Sequence, residues 1–364
     1  MMLPAATCCR VRILSGVPRV LSRLQSSLWR SHRHARSRDT ATRPGGTRRT
    51  GVAAMTVAGI SFFKWLSETD EEKVEEQTPE QQIIWTLKRA KLNILQGRLE
   101  KAEELLHFAA HLAQNENHEN ALIYTYDLMA NLAMQRGHFE QAEKLFKATM
   151  TLYLEHGTKQ DDDAMIEMSL KIASIYASQK KHKMAVSGYE WCVQTAGEKV
   201  AKQNAHTLGS SPEEERDMLL NTQLLFGMCL DSYARYHISQ GRWAKASTLY
   251  RQALDTCSAA QGDTHPQTVL LMSDLAATLD AQGLWEEAEE LAQRAIDLAR
   301  DTGHQHEAAM ISNLAGILMH QGKYEHAKRL YLEALALSRK SGEPEVTLQA
   351  EGGLAELLQR TRNR

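Results

Sequence analysis

The chain has 364 residues, of which 43% are hydrophobic, 6% are aromatic and only seven are proline, a composition that predicts an all-α protein. Residues 1–50 hold eleven Arg and one acidic residue, whereas residues 51–364 hold 32 Lys and Arg against 44 Asp and Glu, a formal charge of −12. An acidic body repels nucleic-acid phosphates, which argues against a nucleic-acid partner.

The first fifty residues have the features of a mitochondrial transit peptide. They are rich in Arg and Ser, and the stretch VRILSGVPRVLSRLQSSLWR places apolar and Arg residues at roughly helical spacing. A basic tail for acidic partners is the alternative, but such a tail does not need regularly spaced Leu and Val. We therefore predict a disordered, cleavable transit peptide over residues 1–50.

Two further segments separate this leader from the rest of the chain. Residues 51–66 are apolar but contain Lys64 and are shorter than the roughly 20 residues that cross a bilayer. They could be a weak stop-transfer segment, an interfacial membrane anchor or the end of the presequence, and the sequence leaves these open. Residues 67–82 are acidic and predict a solvated linker.

From about residue 83 onward the chain repeats one pattern. A turn residue is followed by an aromatic or apolar residue at position two, a small residue at five, a residue that is usually large and apolar at nine, and a small residue at twelve. The five copies that begin with Gly are Gly97, Leu99, Ala102, Leu106, Ala109; Gly137, Phe139, Ala142, Phe146, Thr149; Gly241, Trp243, Ala246, Tyr250, Ala253; Gly283, Trp285, Ala288, Ala292, Ala295; and Gly322, Tyr324, Ala327, Tyr331, Ala334.

A sixth copy lacks Gly and begins at Lys180. An Ala stands seven residues before every one of the six turn residues, which marks the register independently. The pattern predicts pairs of antiparallel helices that approach closely at Ala and are joined by a tight turn. One pair cannot bury its apolar face alone, so the core forms only when pairs stack.

These spacings predict a right-handed α-solenoid of about six helix pairs over residues 83–342. The period is about 40 residues, except for a 61-residue interval between Lys180 and Gly241. That interval contains a charged insertion at about 195–217, which we expect to extend one helix and then loop out. Residues 343–364 predict a capping helix and a short tail.

The Gly, aromatic and Ala phrase resembles the tetratricopeptide-repeat superfamily, and QGDTHPQTVLLMSDLA is similar to its kinesin-light-chain subtype. The stretches IYTYDLMANLAMQRGHFEQAEKLFKATM and LLFGMCLDSYARY, with the Arg-rich leader, resemble more closely a mitochondrial family of such repeat proteins. That resemblance implies a factor at the inner membrane that supports assembly or upkeep of respiratory complex III, with the Rieske iron-sulfur subunit as its partner.

Polar residues on the first helix of each pair are the candidate contacts for a bound peptide, since these helices line the concave face of a repeat solenoid. The competing interpretation is that such residues only contact each other on the exposed face of one helix, as Asp231 and Arg235 could, and bind no partner. The candidates are Asp127, Asn131, Asp231, Arg235, Ser273, Asp280, Ser312 and Asn313. Chaperone adaptors of this superfamily clamp a carboxylate with Lys and Asn, but the corresponding slots here hold Leu87, Lys91, Glu167 and Lys171, so the clamp is not reproduced.

The sequence offers little that predicts catalysis. His107 and His111 are four residues apart on one helix and could ligate a metal only if a third ligand converged, so we interpret them as surface or inter-helix residues. The Cys residues form no CxxC pattern, and no GxSxG or phosphate-binding glycine loop occurs. We predict no metal, no cofactor, no small-molecule substrate and no enzyme activity.

Two functions remain open at this point. The first is a non-catalytic protein-interaction scaffold at the mitochondrial inner membrane that supports complex III. The alternative is a cytosolic cargo or cytoskeletal adaptor of the kinesin-light-chain type, which requires that the leader does not direct import.

Overall fold

The computed structural model describes residues 78–207 and 213–362. These ranges contain thirteen α-helices and no strand, which confirms the all-α class. They are α1 (Pro79–Leu95), α2 (Leu99–Asn115), α3 (Glu119–Gln135), α4 (Phe139–Glu155), α5 (Asp163–Ser178), α6 (His182–Thr207), α7 (Glu213–Ser239), α8 (Trp243–Gln261), α9 (Pro266–Asp280), α10 (Trp285–Thr302), α11 (Glu307–His320), α12 (Tyr324–Ser341) and α13 (Pro344–Arg362). The predicted transit peptide (1–50), the apolar segment (51–66) and most of the acidic linker (67–82) lie outside the described residues.

The described residues divide into two compact units, one ending at Tyr153 and the other beginning at Leu154. In the first unit, α1 packs on α2 and α2 packs on α3. In the second, every helix from α5 to α13 packs on the next helix in the chain, and first helices of neighbouring pairs also meet: α5 with α7, α9 with α11, and α11 with α13. Each unit is therefore built from successive helix pairs, as the repeat predicts.

The six predicted turns share one backbone geometry. All five predicted turn glycines have positive φ, and Lys180 adopts the same left-handed conformation at φ +60°. In every copy the N–H of the residue after the turn residue donates to the carbonyl five residues earlier, at 2.8–3.1 Å. This bond closes a Schellman motif, which satisfies carbonyls at the end of the first helix. The degenerate sixth copy is thus a true repeat without its glycine.

The small residues of the repeat are the most completely buried ones. The Ala before each turn and the Ala five residues after it are at most 1% exposed; they are Ala90, Ala130, Ala173, Ala234, Ala276, Ala315, Ala102, Ala142, Ala185, Ala246, Ala288 and Ala327. Position nine packs a larger side chain between pairs in most copies, including the fully buried Phe146 and Tyr250. Close helix contact and interlocking larger residues together form the core of each unit.

The long interval between Lys180 and Gly241 lengthens two helices, where we expected one extended helix and then a loop. α6 has 26 residues and α7 has 27, against 14–19 in the others. Glu213, Glu214 and Glu215 fall in the first turn of α7, where carboxylates interact favourably with the helix dipole, so this charged stretch begins a helix. Asp163 at the start of α5 is linked to both long helices, to Lys199 Nζ at 2.9 Å and to the Thr222 hydroxyl at 3.0 Å.

Adjacent glycines in the last helix allow a matched test of the packing. A Cβ added to Gly353 would lie 2.4 Å from the ring of Tyr331, which is buried, whereas one added to Gly352 would meet nothing within 4 Å. We expect Gly353→Ala to destabilise the protein by about 1–3 kcal/mol through overpacking. Gly352→Ala should stabilise it by up to ~1 kcal/mol through helix propensity. Thermal unfolding of both variants checks this, and equal shifts in Tm would contradict the packing of α13 on α12.

Candidate protein-interaction surface

The eight predicted contact residues all lie on first helices, and all except Ser312 already take part in hydrogen bonds or ion pairs within the protein. In the first unit, the Asn131 side-chain amide donates to the Asp127 backbone carbonyl within α3, at 2.7 Å. Both side chains are half-buried. This pair is therefore a local helix contact with some polar surface left facing solvent.

In the second unit, Asp231 and Arg235 form a two-pronged ion pair along α7. The Arg235 Nε lies 2.9 Å from one carboxylate oxygen of Asp231, and its Nη2 contacts the other. Burial of the guanidinium lowers the pKa of Arg235. The negative charges of Asp231 and of Asp274 on α9 raise the pKa by more than burial lowers it, so the net shift is upward. The cation is thus paired with the carboxylate of Asp231 on its own helix.

Three further first helices are joined by one chain of hydrogen bonds. The Asn313 amide on α11 donates to the Ser273 hydroxyl on α9 at 3.1 Å, and the Gln349 amide on α13 donates to the Asn313 carbonyl oxygen at 3.1 Å. Ser273 is 1% exposed. Ser312, next to Asn313, is also buried, and its hydroxyl has no hydrogen-bond partner among the described residues. The structure therefore brings Ser273 and Asn313 together, and Ser312 takes no part in these hydrogen bonds.

Asp280 is paired with a residue that the sequence analysis did not select. His320 on α11 places its Nδ1 2.8 Å from Asp280 on α9. The hydrogen bond to Asp280 raises the pKa of His320, burial opposes this, and the charge of Asp280 adds to the upward shift. His320 and Asp280 are 40 residues apart, which is one repeat. Both residues stand just before a turn glycine, Asp280 three residues before Gly283 and His320 two before Gly322, and this was the signal in the sequence that could have found the pair.

An aromatic cluster that the repeat pattern does not predict lies between α6 and α7. Tyr189 stacks on Tyr233 with ring centroids 5.4 Å apart, and Tyr233 lies 4.4 Å from the ring of His237. Burial raises the pKa of Tyr189 to about 12, while its hydroxyl donates to Ser174 at 3.1 Å. These rings are packed into the core and serve the fold.

Other residues considered for chemistry have structural roles as well. In the slots where adaptors hold a carboxylate clamp, Glu167 and Lys171 pair with each other at 2.9 Å. His107 and His111 lie on the exposed side of α2. Within the two described ranges, no group of three or more His, Cys, Asp or Glu side chains is arranged to hold a metal ion. In the same ranges, no helix combines the length and the apolar character needed to cross a membrane.

Comparison with known proteins agrees with this architecture. Two models of the tetratricopeptide repeat match, one over residues 215–301 and one over residues 308–341. Mitochondrial tetratricopeptide repeat protein 19 of the rat is 46% identical over 250 residues, 68% of this chain and 67% of the rat protein. The mouse protein of the same name is 45% identical over 265 residues, 72% of this chain and 71% of the mouse protein. This chain belongs to the tetratricopeptide repeat protein 19 family.

Solved structures support the fold alone. The apo form of RapI aligns with a TM-score of 0.55 and 13% identity, covering 84% of this chain and 80% of that one. The matched families are helical repeat families, a type of domain that binds other proteins. The polar first-helix surface is consistent with that role.

The hydrogen-bond chain through Asn313 gives a stability prediction. Asn313→Ala should remove both bonds and leave the buried Ser273 hydroxyl without its partner, which costs about 1–3 kcal/mol of unfolding free energy. Gln349→Ala breaks the outer bond but keeps the Asn313–Ser273 bond, so the buried Ser273 hydroxyl retains its partner and the cost should be smaller. Urea unfolding of the two variants checks the order, and a larger loss for Gln349→Ala would contradict it.

The Asp280–His320 pair gives a pH prediction. The pKa of His320 is raised in the folded protein, so the pair stabilises the fold fully below about pH 6.5 and this contribution is lost as pH rises through the folded-state pKa. Asp280→Asn should therefore lose about 1 kcal/mol more at pH 6.0 than at pH 8.5, measured as unfolding free energy. NMR titration should show a lower His320 pKa in the variant. Equal losses at both pH values would contradict the coupling.

Proposed function

We propose that this chain is a non-catalytic scaffold of the mitochondrial inner membrane that supports assembly or maintenance of respiratory complex III, with the Rieske iron-sulfur subunit as its protein partner. The observation that carries the proposal is the 45–46% identity to a mitochondrial repeat family over two thirds or more of those proteins. The Arg-rich leader supports import, because it has the composition of a transit peptide. Complex III and its Rieske subunit are implied by the family resemblance.

The geometry supports binding over catalysis. Asp231, Arg235 and the Ser273–Asn313 chain hold one another in defined positions on the first helices, which preorganises a polar surface with little rotamer freedom left to lose. Preorganised side chains reduce the entropy cost of binding. We propose that an extended or helical segment of the partner lies along this surface and hydrogen-bonds to the remaining donors and acceptors.

Protease protection of the tagged full chain tests the location. We expect a shortened band that resists protease in intact mitochondria, because the leader is removed on import. Digestion after rupture of the outer membrane would place the body in the intermembrane space, and survival would place it in the matrix. A full-length band that is digested without rupture would favour the cytosolic adaptor instead.

Complementation tests the function and the surface together. Cells that lack the protein should lose complex III activity, and the wild-type chain should restore it. Ala277 is exposed on α9 one turn from Ser273, and Ala244 is exposed on α8. We expect Ala277→Arg to block the first-helix surface and to fail in complementation, whereas the matched control Ala244→Arg should succeed. Unchanged complex III activity after loss of the protein would overturn the proposal.

A further inference from the structure

A second surface, away from the first-helix contacts, lies within the first unit. A groove of about 510 Å³ runs between α2, α3 and α4. Residues at helical spacing on α2 form one wall, and residues of α3 and α4 complete it. The lining residues are His107, Ala110, His111, Gln114, Tyr126, Met129, Lys144, Leu145 and Ala148.

The floor of this groove is apolar. Ala110 on α2 and Met129 on α3 are each 7% exposed, and Leu145 on α4 is half-buried beside them. Met side chains are flexible and adapt to different apolar groups. The floor can therefore accept an apolar side chain without requiring one particular shape.

The rim of the groove carries hydrogen-bond donors. The Gln114 side-chain amide donates to the Tyr126 hydroxyl oxygen at 2.9 Å, which leaves the Tyr126 O–H to donate elsewhere. The side-chain nitrogen of Asn115 lies 3.1 Å from His111 Nδ1, and because an amide nitrogen only donates, Nδ1 accepts and the neutral ring carries its hydrogen on Nε2. Both hydroxyl and imidazole thus have a donor available to a ligand.

Lys144 adds a positive charge to the same rim. It is exposed, and it has no hydrogen-bond or ion-pair partner among the described residues, unlike Lys147 one turn away, which pairs with Glu143 at 2.6 Å. No carboxylate from the part of the chain that the structure describes lines the groove. Residues 79–153 carry eight Lys and Arg against nine Asp and Glu, so this unit is nearly neutral although the body as a whole is acidic. The rim is complementary to an anion.

We propose that this α2–α4 groove is a docking site for an acidic and apolar peptide segment of a partner protein. An Asp or Glu of the segment accepts hydrogen bonds from Lys144, Tyr126 and His111, and a neighbouring apolar side chain lies on the floor. A membrane surface or nucleic acid fits less well, because each is held by clusters of Lys and Arg and the groove has one Lys. The groove is lined mainly by the second helices α2 and α4, with Tyr126 and Met129 from the first helix α3. The first-helix surface tested at Ala277 lies on α9, so the groove can fail while that function stands.

Peptide binding to the full chain tests the chemistry. The probe is a fluorescein-labelled ten-residue peptide of alternating Glu and Leu, followed by fluorescence anisotropy at low ionic strength. We expect saturable binding that weakens in 0.5 M NaCl, and no comparable binding of the same peptide with Gln in place of Glu. Equal binding of the two peptides would overturn the proposal, since it assigns the affinity to charge.

Matched variants locate the binding. Lys144→Glu should weaken binding at least about five-fold, and Tyr126→Phe should weaken it by a smaller factor because it removes one donor and no charge. Lys147→Glu makes the same charge change one turn away, outside the groove. This control variant keeps Lys144 and should bind the peptide within about two-fold of the wild-type affinity. Circular dichroism confirms that each variant folds. Equal effects of the Lys144→Glu and Lys147→Glu changes would show that only the net charge of the protein matters, and would overturn the assignment of the peptide to this groove.

Crosslinking in mitochondria identifies the occupant. A photoreactive amino acid replaces Ala148, which lines the groove and is exposed, and a second chain carries it at position 147 as the control. We expect position 148, and not position 147, to crosslink to an acidic and apolar segment of another protein, and Lys144→Glu to suppress that product. A crosslink to residues 67–77 of the same chain, to a second copy or to lipid would overturn the assignment of a partner protein.

Discussion

The close contact between paired helices at buried alanines is the constraint on which both units depend. A side chain larger than a methyl group at these positions would separate the helices, and the apolar residues between pairs would lose contact with one another. The glycines of the longest helices obey the same rule: a Cβ on Gly188 would lie 2.9 Å from the Ala173 Cβ, and one on Gly227 would lie 2.7 Å from the Cys257 sulfur. Small residues thus set the helix spacing, and the larger residues fill the space it leaves.

Polar residues on the first helices add a second layer of organisation. Ser273, Asn313 and Gln349 connect two successive pairs and the last helix. Asp280 with His320 connects the same two pairs at the C-terminal ends of α9 and α11. Exposed ion pairs also link neighbouring pairs: Arg300 on α10 contacts Glu307 on α11 and Glu333 on α12. These exposed pairs contribute little each, but the buried hydrogen bonds fix how neighbouring pairs align.

The polar groups on the first helices and those of the α2–α4 groove differ in how many of their hydrogen bonds are already made within the protein. The predicted contact residues on the first helices use much of their hydrogen-bonding capacity within the protein, as in the Asp231–Arg235 and Ser273–Asn313 contacts, so less of it is left for a partner. The groove in the first unit has the opposite character, because Lys144 has no partner among the described residues and Tyr126 and His111 each retain a donor.

The sequence by itself determined the helix pairs, their turns and their buried small residues, including the copy whose turn residue is Lys180. These features depend on contacts within about forty residues, and the repeat encodes them locally. It did not determine that the charged insertion lengthens both α6 and α7, since helix ends depend on neighbours such as Asp163. Only the tertiary structure decided which polar groups meet: the Asp280–His320 contact and the groove beside Lys144 form between repeats, where the stacking of pairs sets the distances.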